Sequence, residues 1–437
     1  MFRAALPENR AARRILLGTL FSAIGRGLTL PFLFVYLNQV RGLHPGTVGL
    51  LVGWMGLVGL ALAPVGGTLV DRYGARRVVL PLFAVEAVGT ASLGFVHSVA
   101  SAFVALTVVA VGTAAVFSGQ NTILASLVPD AQRQHVFGLW FTLLNLGIGI
   151  GGMLSAAVVD LARPVTFQAI YFTDAVTYLV PAAILLSLPH VGRRLAAPPP
   201  RDGQAAEPAA RRTGYREVLR DKAFVRLVIF GLTLTTCGYA QIEVGFTAFS
   251  THIAHVTPRI IGWALAGNTL MIVGSQLFVL RFLHHRSRTY ALAGVGVIFS
   301  GSWLVLAAGG LAGRHGHVVL AAAGVIGCAM VFAVGETLLS PVMPALTNAL
   351  ATDELRGRYN AMTSIIWGIS GIVGPITAGP LIGAGRAGLW VVTVVAGCLL
   401  ASTLALGLHR RLTPEQDGRI PIPDSETPGV RSTARVA

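Results

Sequence analysis

Three ionisable residues, Arg26, Glu243 and Glu336, stand inside long apolar stretches of this 437-residue chain. Glu243 lies in Gln241-Ile242-Glu243, and Glu336 lies in Gly335-Glu336-Thr337, shortly before Pro341. Charge at membrane depth is costly and is kept where it pairs or serves an ion or ligand path. An apolar cavity disfavours the charged form of a carboxyl group. Such an acid can therefore hold a proton near neutral pH and release it when water or a cation arrives. The chemistry open to the two glutamates is proton exchange and cation binding, with an ion pair to Arg26 as the structural alternative. Glu86 and Asp174, also in apolar stretches, read as structural hydrogen-bonding residues, and Asp160 as a solvated residue at a span end. No phosphate-binding lysine loop, paired-histidine metal motif or nucleophile elbow occurs in the sequence, so no catalytic role, metal or cofactor is expected. Cys237, Cys328 and Cys398 read as small packing residues.

The elements that position these residues must be helices in a bilayer. Charged residues make up 12% of the chain and hydrophobic ones 54%, against about 25% charged in an average soluble domain. A bilayer core of about 30 Å needs roughly 20 apolar residues per helix. Twelve spans meet that need: 15–39, 47–70, 78–97, 101–128, 136–161, 166–188, 224–252, 259–281, 290–310, 318–345, 359–383 and 388–408. The first is longer than a signal-peptide core and has no small-residue cleavage site after it, so it is expected to remain. With the N-terminus in the cytoplasm, 27 of the 33 Lys and Arg residues fall on the inner side and five outside, and Arg26 is within a span. That asymmetry predicts a multi-pass protein of the cell membrane with both termini cytoplasmic. The +15 net charge thus belongs to loops facing lipid headgroups, and nucleic acid is not an expected partner. Arginine in large excess over lysine is the composition of a GC-rich bacterial genome.

The expected organisation is a six-helix bundle over 1–190, a cytoplasmic linker over 191–223 with a short helix at 215–222, a second bundle over 224–410, and a disordered cytoplasmic tail over 411–437. The halves repeat. A shift of 223 residues lays Asp130, Arg133 and Gly151-Gly152 over Asp353, Arg356 and Gly374-Pro375. Internal repeats of this kind place a binding site at mid-membrane between two bundles.

The most specific motif follows the second span: Gly67, then Asp71-Arg72, Gly74, and Arg76-Arg77. Its spacing resembles the signature loop of the major facilitator superfamily. The resemblance implies an all-α fold of twelve transmembrane helices in two six-helix bundles, with this loop as a conformational gate gripping the opposite half. The second-half equivalent at 281–288 keeps basic charge but lacks a counterpart of Asp71. Gly147, Gly151 and Gly152 resemble the glycine motif of the family's drug/proton antiporters without its proline, while Gly374-Pro375 supplies a glycine-proline pair in span eleven. The arginine that many proton-coupled members carry in span four is absent, and Arg26 is the candidate substitute. In the family, spans one, four, seven and ten line the central cavity, which places Glu243 and Glu336 there. Their surroundings also resemble those of lactococcal lipophilic-drug/proton antiporters.

The function these features predict is proton-coupled efflux of lipophilic or cationic small molecules by alternating access, with antibiotic resistance as a consequence. The expected partners are a small-molecule substrate, protons and the lipid bilayer, around a monomer. Candidate cavity residues are Tyr36, Gln120, Asn121, Trp140, Asn145, Tyr239, Asn268 and Trp367, with Phe34, Phe117 and Phe246. Uptake of a metabolite such as a sugar or peptide is the alternative within the same class, and a non-transporting membrane sensor is the alternative outside it.

Overall fold

The computed structural model describes residues 7–192, 215–283, 286–351 and 355–419. Long helices follow one another as α1 (Arg10–Val40), α2 (Pro45–Tyr73), α3 (Ala75–Leu93), α4 (Val99–Ser126), α5 (Asp130–Val158) and α6 (Pro164–Leu186), then α7 (Lys222–His252), α8 (Pro258–Leu283), α9 (Arg288–Arg314), α10 (Val318–Leu350), α11 (Arg356–Gly383) and α12 (Ala387–His409). Among the described residues ten segments are long and apolar enough to cross a membrane, and α3 and α8 complete the twelve. Arg76, Arg77 and Glu86 make α3 less apolar than its neighbours. Each helix starts and stops within a few residues of its predicted span. A one-turn helix, Tyr215–Val218, precedes α7. The rest of the linker before it, residues 193–214, lies outside the described residues.

Polar side chains set several helix starts by accepting from backbone N–H groups that have no partner within the helix. The Asn9 side chain accepts from Ala11 N at 2.8 Å to begin α1, and Asp221 accepts from Ala223 N at 2.9 Å to begin α7. Gly74 separates α2 from α3 at φ 86°, a conformation that glycine takes without a Cβ clash.

Small residues bring the helices together. In the first half, a methyl group at Gly147 would lie 2.5 Å from Ala23 Cβ, and one at Gly151 would run into the Ile24 carbonyl, so α5 lies backbone to backbone on α1. In the second half, α9 and α10 meet at Gly309 and Gly324, where a methyl on Gly309 would be 3.0 Å from Gly324 Cα. With lipid as apolar as leucine, such close approach is what holds membrane helices together.

The two halves meet at what is here called the far face, the end opposite the chain termini. There α2 crosses α11 through Gly49, Gly379 and the Pro375 carbonyl, and α5 crosses α8 through Ala156 and Gly262. Asn38 Oδ1 lies 2.6 Å from His252 Nε2, joining α1 to α7, with Phe34 edge-on to the His252 ring at 6.3 Å. Toward the terminal face the seam opens, and Gly59 and Gly67 on α2 have no neighbour within 4 Å of an added Cβ. This conformation is sealed at one end and opens toward the other.

The expectation of a disordered tail from residue 411 is corrected over its first part. Residues 411–419 fold back on α9, and Asp417 is fully buried. Its Oδ1 accepts from Thr289 N at 2.9 Å and from Thr289 Oγ1 at 3.0 Å, and its Oδ2 lies 3.1 Å from both His409 Nδ1 and Arg419 Nε. The physical reason is a buried helix start on α9 whose donors need an acceptor. Residues 420–437 lie outside the described residues. Asp417→Ala should destabilise the protein by about 2 kcal/mol, the typical cost of stranding buried donors. A lowered thermal-unfolding midpoint in detergent is the expected result, and an unchanged midpoint would show that the clip contributes nothing.

Candidate functional site

Two cavity helices, α1 and α7, lose regular geometry in their second halves. In α1, Leu30–Phe32 is a 3₁₀ turn containing Pro31, and Tyr36–Val40 is a π segment. In α7 the order repeats: Tyr239–Gln241 is 3₁₀ after Gly238, and Ile242–Phe246 is π. Such interruptions widen a helix and are frequent at functional sites. The break in α7 is held by Gln241, which accepts from Trp390 Nε1 at 2.8 Å and donates to Thr236 O at 2.9 Å. It turns Tyr239 and Glu243 in different directions, and each lines a separate cavity.

The larger cavity, of about 500 Å³, lies between the halves on the terminal side of the far-face seal. Phe117, Phe141 and Asn145 come from the first half, and Phe230, Tyr239, Glu336, Met343 and Trp367 are among those from the second. The wall is apolar and aromatic. Tyr239 stands edge-on to Trp367 at 4.8 Å and 89°, and to Phe332 at 5.7 Å. Phe332 in turn is stacked on Phe299 at 4.0 Å. Phe117 and Trp367 are 58% and 43% exposed, so their rings are free to meet an occupant. Glu336 is the acid in this wall. Its Oε2 accepts from Asn268 Nδ2 at 2.8 Å, and Asn268 is fixed by a second bond to Ala329 O at 3.2 Å. The Tyr239 hydroxyl is also within hydrogen-bonding reach of this carboxyl group, so Glu336 is held by two neutral donors, with no cation beside it among the described residues. Such a site combines aromatic faces with an uncompensated negative charge, which attracts a lipophilic cation.

The second cavity, of about 280 Å³, is lined by Arg26, Glu86, Asp174, Tyr171, Tyr178 and Glu243, with apolar neighbours. Arg26 Nη2 lies 3.8 Å from Glu86 Oε1. Thr29 Oγ1 donates to Asp174 Oδ2 at 2.6 Å. Two expectations change here. Glu243 and Glu336 line separate cavities, and the ion pair of Arg26 goes to Glu86 on α3, not to either of those glutamates. The inward reach of α3 and α6 follows from Gly112 and Gly25, which admit the Glu86 backbone and the Asp174 side chain at close range.

Other predicted residues divide between the cavities and the packing. Asn145 joins the larger cavity, its amide turned back to Phe141 O at 2.8 Å. Gln120 and Trp140 line a small pocket beside Arg26 and Glu86. Tyr36 leaves the candidate cavity list, because it is fully buried, stacked on Phe167 at 5.4 Å and bonded to Gly94 O at 3.1 Å and Arg41 Nε at 2.8 Å. Asn121 lines neither of the two cavities, and its Oδ1 is buried without a hydrogen-bond partner. Gly147 and Gly151 pack α5 on α1, an added Cβ on Gly152 would have more room at 3.8 Å, and one on Gly374 would lie 2.7 Å from Ala240 Cβ. Asp160 is half-exposed beside Arg163 at 3.8 Å.

At the start of α3, Arg76 crosses to α6 and donates to the carbonyls of Leu185, Leu188 (2.7 Å) and Leu186 (3.3 Å). A cation there satisfies the free carbonyls of a helix C-terminus. Arg72 lies over the Tyr73 ring at 5.4 Å, and Arg77 is exposed. These contacts stay within the first half. The Asp71 backbone belongs to α2, but its side chain lies outside the described residues, as does Asp353.

With this architecture in place, the sequence itself matches the profile of the Major Facilitator Superfamily over residues 15–333. The chain belongs to that superfamily. Among curated relatives it is 24% identical to the multidrug resistance protein MdtH of Aeromonas salmonicida, covering 89% of this chain and 92% of the relative. It is also 24% identical to the uncharacterized MFS-type transporter YqjV of Bacillus subtilis, covering 88% and 90%. Among solved structures, the fold is similar to an auto-inhibited POT family peptide transporter, with TM-score 0.72, 14% identity, and 92% and 97% coverage. The nucleoside transporter NupG gives TM-score 0.64 at 15% identity, with 92% and 98% coverage. This superfamily chain is therefore a multi-pass membrane protein of a transporter family, built to take a small-molecule substrate.

Proposed function

We propose that the protein is a proton-coupled exporter of lipophilic cations, resident in a bacterial cell membrane as a monomer with both termini in the cytoplasm. The observation that carries this reading is Glu336, an acid held by neutral donors alone, Asn268 and Tyr239, in a largely aromatic and apolar cavity. The multidrug names of several relatives support it. In this reading the terminal face is cytoplasmic, and the conformation described is the inward-facing one. Substrate enters from the inner leaflet or cytoplasm, lies against Trp367 and Tyr239, and has its charge matched by Glu336. The halves, residues 1–190 and 224–410, then rock about the seam, with the loop from Gly67 to Arg77 closing behind the substrate. A proton taken from outside neutralises Glu336 and weakens its hold on the cation. Arg26 and Glu243 are assigned to the coupling.

The test uses proteoliposomes and tetraphenylphosphonium, a lipophilic cation of fixed charge. Expected is uphill movement driven by an imposed proton gradient and abolished by a protonophore. Failure to move this cation under any gradient would overturn the cation assignment. Movement insensitive to the protonophore would overturn proton coupling. If overexpression in cells raises dye accumulation, uptake replaces export.

A further inference from the structure

The exporter reading leaves Glu86 and Asp174 without a role, yet both are buried at mid-membrane, 2% and 1% exposed, around the same guanidinium. Three carboxyl groups, Glu86, Asp174 and Glu243, share the second cavity with one cation, Arg26. All three cannot be ionised cheaply there, because two uncompensated negative charges would lie in a medium of low dielectric. Hydrogen bonding points the same way. The Glu86 carboxyl has Arg26 and the Tyr178 hydroxyl as neighbours, yet its Oε2 is buried with no hydrogen-bond partner, and so is the Tyr171 hydroxyl in the same wall. Asp174 has the opposite endowment, with Thr29 bonded to one oxygen at 2.6 Å and Thr177 near the other at 3.4 Å. A carboxylate oxygen without a donor is the natural seat for a proton, since protonation turns it from a stranded acceptor into a hydroxyl.

We propose that Glu86 and Asp174, around Arg26, form a proton-binding site within the first half, and that Glu243 sets its occupancy from the second half. The groups facing it are Arg26 on α1, Tyr171, Asp174 and Tyr178 on α6, and Glu243 on α7. α2 and α4 contribute Met55, Leu106 and Thr113 among others, none of which titrates. Glu243 belongs to the other rigid half and sits on the π segment of α7. While the halves are arranged as here, Glu243 competes for the positive charge of Arg26, and the first-half acids must take up protons. When α7 swings away, Arg26 is left to Glu86 and Asp174 alone and their ionised forms are favoured, so a proton that binds there from the outer side drives α7 back to the present arrangement and is carried inward. Proton binding and rocking are thereby coupled through the charge balance of one cavity, some helices away from Glu336. Only the link to substrate transport rests on the exporter reading. The proton site itself does not.

The experiment has two arms, both on purified full-length protein. In the first, infrared absorption of protonated carboxyl groups is followed during a pH titration in detergent, in the Glu336→Gln background so that Glu336 does not contribute. A protonated-carboxyl band is expected at neutral pH, and adding Glu86→Gln and Asp174→Asn should remove it. A band absent before those changes, or unaffected by them, overturns the proposal. In the second arm, proteoliposomes carrying Glu86→Gln and Asp174→Asn alone are assayed with tetraphenylphosphonium. Gradient-driven accumulation should fall to background while counterflow persists, and Glu86→Asp should recover part of the driven transport. Driven accumulation at the unsubstituted level overturns the coupling role. Loss of counterflow together with driven transport, in protein that remains monodisperse, would mark the cluster as structural and overturn it equally. If unsubstituted protein moves no tetraphenylphosphonium, the exporter reading fails, and the infrared arm still decides the proton site.

Discussion

Glu336→Gln should lower the affinity for tetraphenylphosphonium roughly 100-fold while leaving binding of a neutral lipophilic compound of similar size almost unchanged. Glutamine keeps the volume and can still accept from Asn268, whose amide is 2.8 Å from the carboxylate and anchored on Ala329 O. The change therefore removes charge and little else. A cation about 4 Å from a carboxylate gains roughly 4 kcal/mol at an intermediate effective dielectric. Part of that is offset by desolvation, so a net loss of about 3 kcal/mol is a fair expectation, equivalent to about two decades in Kd. Neutral compounds draw on the aromatic wall of Tyr239, Trp367 and Phe117, which the substitution does not touch. Equilibrium binding of both probes to purified protein measures the difference. Equal losses for both would show that Glu336 shapes the cavity instead of matching charge.

The second large effect is expected at Gly49. This residue meets Gly379 and the Pro375 carbonyl where α2 crosses α11, and the space for a side chain is already occupied by backbone. Leucine there cannot be absorbed by a rotamer change, because backbone atoms are the obstacle. Overpacking typically costs about 1–3 kcal/mol even among yielding side chains, and the cost falls only on the conformation sealed at the far face. A penalty of about 3 kcal/mol moves a two-state ratio about 100-fold. Gly49→Leu should thus hold the molecule open at the far face. A cysteine at Ile376, which faces Gly53 across the same seam, should react far faster with a membrane-impermeant maleimide once Cys237, Cys328 and Cys398 are replaced. Unchanged labelling together with unchanged transport would show that this seam does not govern access.

The number and ends of the helices were readable because the bilayer sets a length and demands apolarity, and both are linear properties of sequence. Rotation about each helix axis was not readable. Helices apolar on all sides, such as α4, α10 and α12, carry no stripe to say which side chain faces which neighbour. Tyr36 therefore looked as suited to the cavity as Tyr239, although one is stacked under Arg41 and Phe167 and the other lines the wall. The same gap hid the meeting of Glu86 and Asp174 with Arg26. The signal that existed was indirect: Gly25 and Gly112 let α6 and α3 approach, and an acid at each point of approach is costly unless it has company. Gln241, whose two bonds hold the break in α7, carried no signal beyond being an amide among apolar residues.

The Asp417 clip also decides how far the chain can be shortened. The described chain ends at Arg419, beside the start of α9, and not at the end of α12. Shortening as far as Arg419 keeps the anchor whole, whereas cutting at Leu412 strips it away and leaves Thr289 without its acceptor.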